Sequence, residues 1–296
     1  MFFYLFSGLA LLFAGWLLLY PRLVERRRAH LRQLPFPSDW RRIVHARVPY
    51  VAQLPADLQS QLECHMNVFL AEKPFLACAG LELTQEMRVV IAAQACLLLL
   101  NRDAGYFPNL RQILVYPGPF VVNRVRSDGA GLLQELRQVL SGESWSQGQV
   151  ILSWGDVLEG AADPADGQNV VLHEFAHQLD QESGDANGAP LFGSRARRKR
   201  WASVMAAAFA QLQQRTQAGA PSLMSDYGAS SPAEFFAVAS EVFFEQPARM
   251  AEEHPALYGE LRRFYCVDPL VWSQVAPPES ASLEDAMAPI QASSSG

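Results

Sequence analysis

Residues 169–180 read NVVLHEFAHQLD, and this stretch decides how the rest of the chain is to be read. Residues four apart on an α-helix lie on one face. His173 and His177 can therefore bring neutral imidazole nitrogens to a single metal ion. Glu174 is one step round the helix from His173, so its carboxylate lies beside such an ion without being forced to coordinate it. Zinc held by three protein ligands keeps an open position for water and lowers that water's pKa towards neutrality. A carboxylate next to this water can take its proton and later pass it to a leaving amine. Five residues thus supply two ligands and a general base. The plain alternative is a helix carrying two surface histidines. Leu172, Phe175, Ala176 and Leu179 weigh against it, because they form the pattern of a helix packed on most sides. Two histidines and a glutamate in such a helix need a reason to be desolvated.

The helix is expected from about residue 168 to 182, with Asp166 or Gly167 near its start and Gly184 just past its end. A third protein ligand is required, and HExxH does not name it. His30, His45, His65 and His254 are candidates, but none falls in an HExxHxxGxxH arrangement. A carboxylate from another helix is the other common solution. Residues 233–246, AEFFAVASEVFFEQ, have helical spacing, with Pro232 placed for the first helical position. They carry Glu234, Glu241 and Glu245. Glu234 and Glu241 share a face with Ala237, Val238 and Phe244, so spacing ranks these two nearly equal. One can be a ligand and the other a partner that orients a ligand. Both being surface charges is the bland reading.

Further out, residues 56–72 and 84–101 show helical apolar spacing. Residues 113–116 and 120–125 read as short strands broken by Pro117, Gly118 and Pro119. VILSW, residues 150–154, reads as a further strand, expected at a sheet edge where an extended substrate backbone could pair with it. RARRKR, residues 195–200, opens a helix to about residue 217 and is best read as a solvated face. The four cysteines are scattered without a CxxC pair. A net charge of -6 leaves no basic footprint, so nucleic acid is not an expected partner.

Residues 2–20, FFYLFSGLALLFAGWLLLY, contain no charge. As a helix they reach about 28 Å, close to the roughly 30 Å hydrocarbon core of a bilayer. Tyr4, Trp16 and Tyr20 lie towards the ends, where aromatic rings favour the interface. No basic region precedes the stretch and no small-x-small site follows it, so a retained anchor is expected rather than a cleaved signal. Arg22, Arg26, Arg27, Arg28 and Arg32 follow, and the positive-inside rule puts them and the remaining chain in the cytoplasm. The expected organisation is a transmembrane anchor with its basic segment (1–33), a catalytic domain (34–274) and a disordered tail rich in Pro, Ser and Ala (275–296).

Several motifs in one order carry a resemblance: LVYPGPFVV, VILSW, NVVLHEFAHQLD and, above all, YGASSPAEFFAVASEVFF. From roughly Pro35 to Leu270 the chain resembles the Mlc titration factor A family of bacterial zinc peptidases. Its catalytic part is also similar to the zinc domain of anthrax lethal factor, which shares HEF-x-H with a trailing aspartate and a tyrosine followed by an EFFA segment. The resemblance implies an α+β fold, mostly helical, of zincin-like type, with a small sheet beside the HExxH helix. It implies one zinc ion on His173, His177 and Glu234, with Glu174 as catalytic base. It makes Tyr227 the hydroxyl facing the substrate carbonyl, where it can hydrogen-bond the oxyanion. Asp180 also matches the family pattern; orienting a ligand or tying down the helix end are the roles open to it. The implied activity is aminopeptidase-type hydrolysis of a peptide or protein substrate. With the anchor, the site would face the cytoplasm beside the bacterial inner membrane. A relative that binds a transcriptional repressor of sugar uptake implies the alternative, a regulator that sequesters such a protein.

Overall fold

A computed structural model describes residues 2–102, 105–127, 133–140, 142–145 and 148–272; side chains are described for all of these except 2–5, 7–12, 14, 18, 120–140 and 143–145. In chain order the elements are α1 (Phe2–Gln33), α2 (Ser38–Arg47), α3 (Ala56–Glu72), β1 (Phe75–Ala77), α4 (Gln85–Leu97), β2 (Gln112–Tyr116), β3 (Phe120–Ser127), β4 (Leu133–Leu140), β5 (Gly142–Trp145), β6 (Gln149–Ser153), α5 (Trp154–Ala162), α6 (Val170–Asp180), α7 (Arg195–Gln217), α8 (Pro232–Glu245), α9 (Pro247–Glu253), α10 (Pro255–Tyr265) and α11 (Pro269–Trp272). The expected disordered tail lies outside the described residues.

The fold is mostly helical with a small mixed sheet, as expected. The sheet order is β1-β2-β6-β5; β1, β2 and β6 run parallel and β5 returns antiparallel to β6. β3 and β4 form a separate antiparallel hairpin. VILSW is therefore not an edge strand: β6 has β2 on one side and β5 on the other. Its unbroken apolar run is what a strand buried on both faces needs, and Val150 to Ser153 are all buried. β5 is the edge on that side.

Local chemistry sets the helix starts. Thr84 caps α4, Ser153 caps α5, Ser194 caps α7 and Ser231 caps α8, each hydroxyl accepting a backbone N–H of the first turn. Pro232 occupies the start of α8, as its fixed φ favours. α6 begins later than expected, because Asn169 is its cap rather than Asp166 or Gly167. A 3-10 turn (Gln181–Ser183) and Gly184, at φ +127°, end it.

α6 lies in the middle of the molecule, and its residues 171–180 are all buried. One face rests on Phe175, whose ring meets Phe107 (4.8 Å between centroids) and Phe69 (5.7 Å). Such edge-on aromatic contacts add to the area they bury. A second cluster joins Trp201 of α7, Phe236 of α8 and Phe264 of α10, and so ties α8 to the helices behind it.

α1 is continuous to Gln33, and its last turns pack on the domain. Arg28 donates to both carboxylate oxygens of Glu72 at 2.8 Å and to the Gly105 carbonyl at 3.3 Å. Its guanidinium also sits 4.9 Å from the Tyr106 ring centroid. Leu31 packs against the core, and Asn67 on α3 donates to the Leu34 carbonyl. Two of the five arginines after the apolar stretch, Arg28 and Arg32, are thus used within the protein. Among the described residues no helix is long and apolar enough to cross a membrane. Most side chains of the expected span, 2–20, lie outside the described residues.

Candidate metal centre

α6 and α8 pack antiparallel, so the end of α6 meets the start of α8. This places Glu234 Oε2 3.0 Å from His173 Nε2 and 3.2 Å from His177 Nε2. Ligand atoms of His173, His177 and Glu234 all lie within 4.8 Å of one another, the one such cluster among the described residues. Ligands about 2.0–2.1 Å from a tetrahedral zinc are roughly 3.3 Å apart, so the spacing fits that ion. His30, His45, His65 and His254 are not in the cluster; His65 instead bonds the Tyr106 hydroxyl.

Glu241, about two turns further along α8, reaches the opposite side of the same ring: its Oε1 is 2.7 Å from His173 Nδ1. A carboxylate only accepts, so Nδ1 carries the hydrogen. In the neutral ring Nε2 is then a bare lone pair facing another acceptor, Glu234 Oε2. Two acceptors at that distance need a positive centre between them, a proton or a metal cation. The electrostatics agree. Burial alone would lower the His173 pKa, but the carboxylates of Glu241, Glu234 and Glu174 overcome it and raise it well above its ordinary value. Burial would raise the Glu234 pKa, but its bonds to His173 and His177 hold it far below the usual carboxylate range. Spacing ranks Glu234 and Glu241 nearly equal; in the structure Glu234 meets both Nε2 atoms, whereas Glu241 meets Nδ1 of His173.

A cavity of about 340 Å³ opens on His173, lined also by Glu174, Tyr227, Asp156, Glu159 and Asp166 among others. Glu174 is buried. β5 runs so close to it that a Cβ at Gly142 would lie 2.6 Å from its Oε1. Tyr227 is 44% exposed and stands in a 3-10 turn (Asp226–Ala229) capped by Ser225. Its ring lies 5.8 Å from that of His173, centroid to centroid.

Asp180 is fully buried and accepts the Gly188 N–H at 2.7 Å. Burial raises its pKa, against the N–H groups of residues 187–189. Gly188, at φ +74°, packs against the Pro232 carbonyl so closely that a Cβ would clash. Asp180 thereby ties the end of α6 to the start of α8.

Sequence reasoning missed a polar group behind the ring of His173. Asn169, Gln94 and Glu245 are buried there. Burial, then the nearby Glu241 carboxylate, push the Glu245 pKa up to about 9, against its bond from Asn169. An Asn immediately before an apolar helical run is an N-cap signal, and it was there to be read.

A sequence profile of the family Glucose-regulated metallo-peptidase M90 matches residues 22–266. The chain is 41% identical over 253 residues to an uncharacterized protein of Synechocystis sp., covering 85% of this chain and 92% of that one. It is 38% identical over 226 residues to Mlc titration factor A of Klebsiella pneumoniae, covering 75% and 84%. It is 37% identical over 227 residues to Mlc titration factor A of Escherichia fergusonii, covering 76% and 84%. The cluster of two histidines and a glutamate is compatible with the metal that a metallopeptidase uses, and the chain belongs to the M90 family of glucose-regulated metallopeptidases.

Proposed function

We propose that the chain is a zinc-dependent, aminopeptidase-like hydrolase, held at the cytoplasmic face of the bacterial inner membrane by residues 2–20. The observation that carries the zinc reading is the meeting of two imidazole Nε2 atoms with the Glu234 carboxylate. When bound, zinc supplies Lewis acidity and lowers the pKa of water. His173, His177 and Glu234 would hold it. Glu241 keeps the hydrogen of His173 on Nδ1, so that Nε2 presents a lone pair. The Glu174 carboxylate accepts a proton from the attacking water and passes it to the departing nitrogen. The Tyr227 hydroxyl donates to the substrate carbonyl oxygen as negative charge grows there.

The aminopeptidase-like reading is supported by the cleft's charge. Asp156, Glu159 and Asp166 line it, with no Lys or Arg among its described lining residues, which suits the ammonium of a free N-terminus. Membrane tethering is supported by the uncharged stretch 2–20 and by Arg22, Arg26 and Arg27, which are exposed on α1. We take 1–33 as anchor and basic segment, 34–274 as the catalytic domain and 275–296 as a tail. The name of the Klebsiella and Escherichia relatives supports a second role, sequestering a transcriptional regulator.

Hydrolysis of an aminoacyl anilide with a free N-terminus, beside its N-acetylated counterpart, tests the reading. The free substrate should be cleaved and the acetylated one spared. Glu174→Gln should abolish turnover, keep its metal and keep any regulator it binds. Full activity in Glu174→Gln would refute the proposed chemistry.

A further inference from the structure

Helix caps are usually local devices, but Asn169 reaches well beyond its own helix. It is 1% exposed. Its Oδ1 accepts from the N–H groups of Val171 (3.1 Å) and Leu172 (3.0 Å), which starts α6. Its carbonyl accepts from the His173 N–H at 2.9 Å, the first bond of the helix. Its own N–H donates to Glu241 Oε2 at 2.6 Å, while Glu241 Oε1 takes the hydrogen of His173 Nδ1. Its Nδ2 donates to Gln94 Oε1 on α4 (2.8 Å), to Glu245 Oε1 on α8 (2.9 Å) and to the Gly160 carbonyl on α5 (3.2 Å). Each polar atom of the residue is engaged, and its partners come from four helices.

Two routes therefore run from Asn169 to the same imidazole. One follows the backbone of α6, which sets where the His173 side chain starts. The other passes through the Glu241 carboxylate, which sets the ring's tilt and its hydrogen. A carboxylate held by a single bond to the ring could rotate about its own side chain; the Asn169 N–H pins the second oxygen. The side-chain amide in turn fixes the Asn169 backbone against α4, α5 and α8.

We propose that Asn169 is a positioning residue of the metal centre, locking Glu241 and the start of α6 together so that His173 Nε2 is held towards His177 and Glu234. The inference rests on the zinc reading above. The polar atoms of Asn169 are taken up within the protein, so its proposed role runs through Glu241 and His173.

Zinc affinity, measured by competition with a chromogenic chelator, tests it without any peptidase assay. Asn169→Ser keeps a hydroxyl able to cap the helix but loses the amide that reaches Gln94, Glu245 and Gly160. Asn169→Ala loses both. Ser194→Ala removes the cap of α7 and is the control for a lost cap alone. We expect the zinc dissociation constant to rise about 10–100-fold in Asn169→Ser, within the range for residues that support metal ligands. A rise at least as large is expected in Asn169→Ala, and none in Ser194→Ala despite its lower melting temperature. Unchanged zinc affinity in Asn169→Ser would overturn the proposal and leave Asn169 a helix cap. If Asn169→Ala does not fold, Asn169→Ser decides alone. Failure of the wild-type protein to bind zinc would instead count against the metal reading itself.

Discussion

At the scale of single residues, the centre depends on which nitrogen of His173 carries its hydrogen. Glu241 settles that from the side away from Glu234. Glu241→Gln offers an amide NH₂ where one carboxylate oxygen now accepts. Whichever way the amide turns, it faces a donor, the Asn169 N–H or the His173 Nδ1–H. Zinc affinity in a chelator titration should fall about 10–100-fold. Tyr227→Phe removes a hydroxyl that matters only as charge develops on the carbonyl oxygen. Steady-state kinetics should show kcat down about 100–1000-fold, with KM and zinc content near wild type; a fall in KM-dependent binding alone would argue against that role. HExxH was legible because its spacing is local, four residues on one helix. Which side of His173 each of Glu234 and Glu241 meets was not, since both lie on one face of α8. It turns on α8 running antiparallel to α6 and on the two sides of a ring, neither of which spacing encodes.

At the scale of elements, α6 is held by its back as much as by its ligands. Phe175 is fully buried against Phe69 and Phe107. Phe175→Ala should cost about 3–5 kcal/mol in denaturant unfolding, through lost burial and the cavity left behind. Loss of less than about 1 kcal/mol would mean that the aromatic cluster does not support the helix. The long helices were legible, α3 and α7 almost to the residue, because apolar periodicity and caps agree there. The sheet was legible in part. VILSW has the composition of a strand, but its place in the sheet depends on β5, whose sequence, GESW, has little strand character of its own. β1, only three residues long, owes its existence to β2 beside it.

At the scale of the whole molecule, α1 joins the catalytic domain through its last turns. Residues 22–266 match the family, and Arg28 and Leu31 pack on the domain. A chain starting at residue 22 should therefore melt near the full-length temperature, whereas one starting at residue 34 should melt lower, having lost the Arg28–Glu72 pair. The same junction gives a pH dependence. Burial, then the charge of Arg32, lower the His65 pKa from 6.5 to about 4. Tyr106 accepts or donates at its Nδ1, with Arg28 against the Tyr106 ring and Glu72 paired to Arg28. The unfolded chain takes up this proton near pH 6.5 and the folded one only near pH 4, so the stabilisation is present above pH 6.5 and is lost as pH falls through that window. Melting curves between pH 7 and pH 4 should show a shallower loss in His65→Gln than in wild type. The apolar start of α1 was legible from composition alone; that its basic end folds back into the domain was not, because Arg28 finds Glu72 only in three dimensions. Zinc would join these scales, because a ligand that binds the folded state alone stabilises the whole molecule. The most direct test of the account is the metal content of purified protein after dialysis, wild type beside Glu234→Ala. The account predicts one zinc per wild-type chain and its loss from Glu234→Ala; near-wild-type zinc in that variant would contradict it.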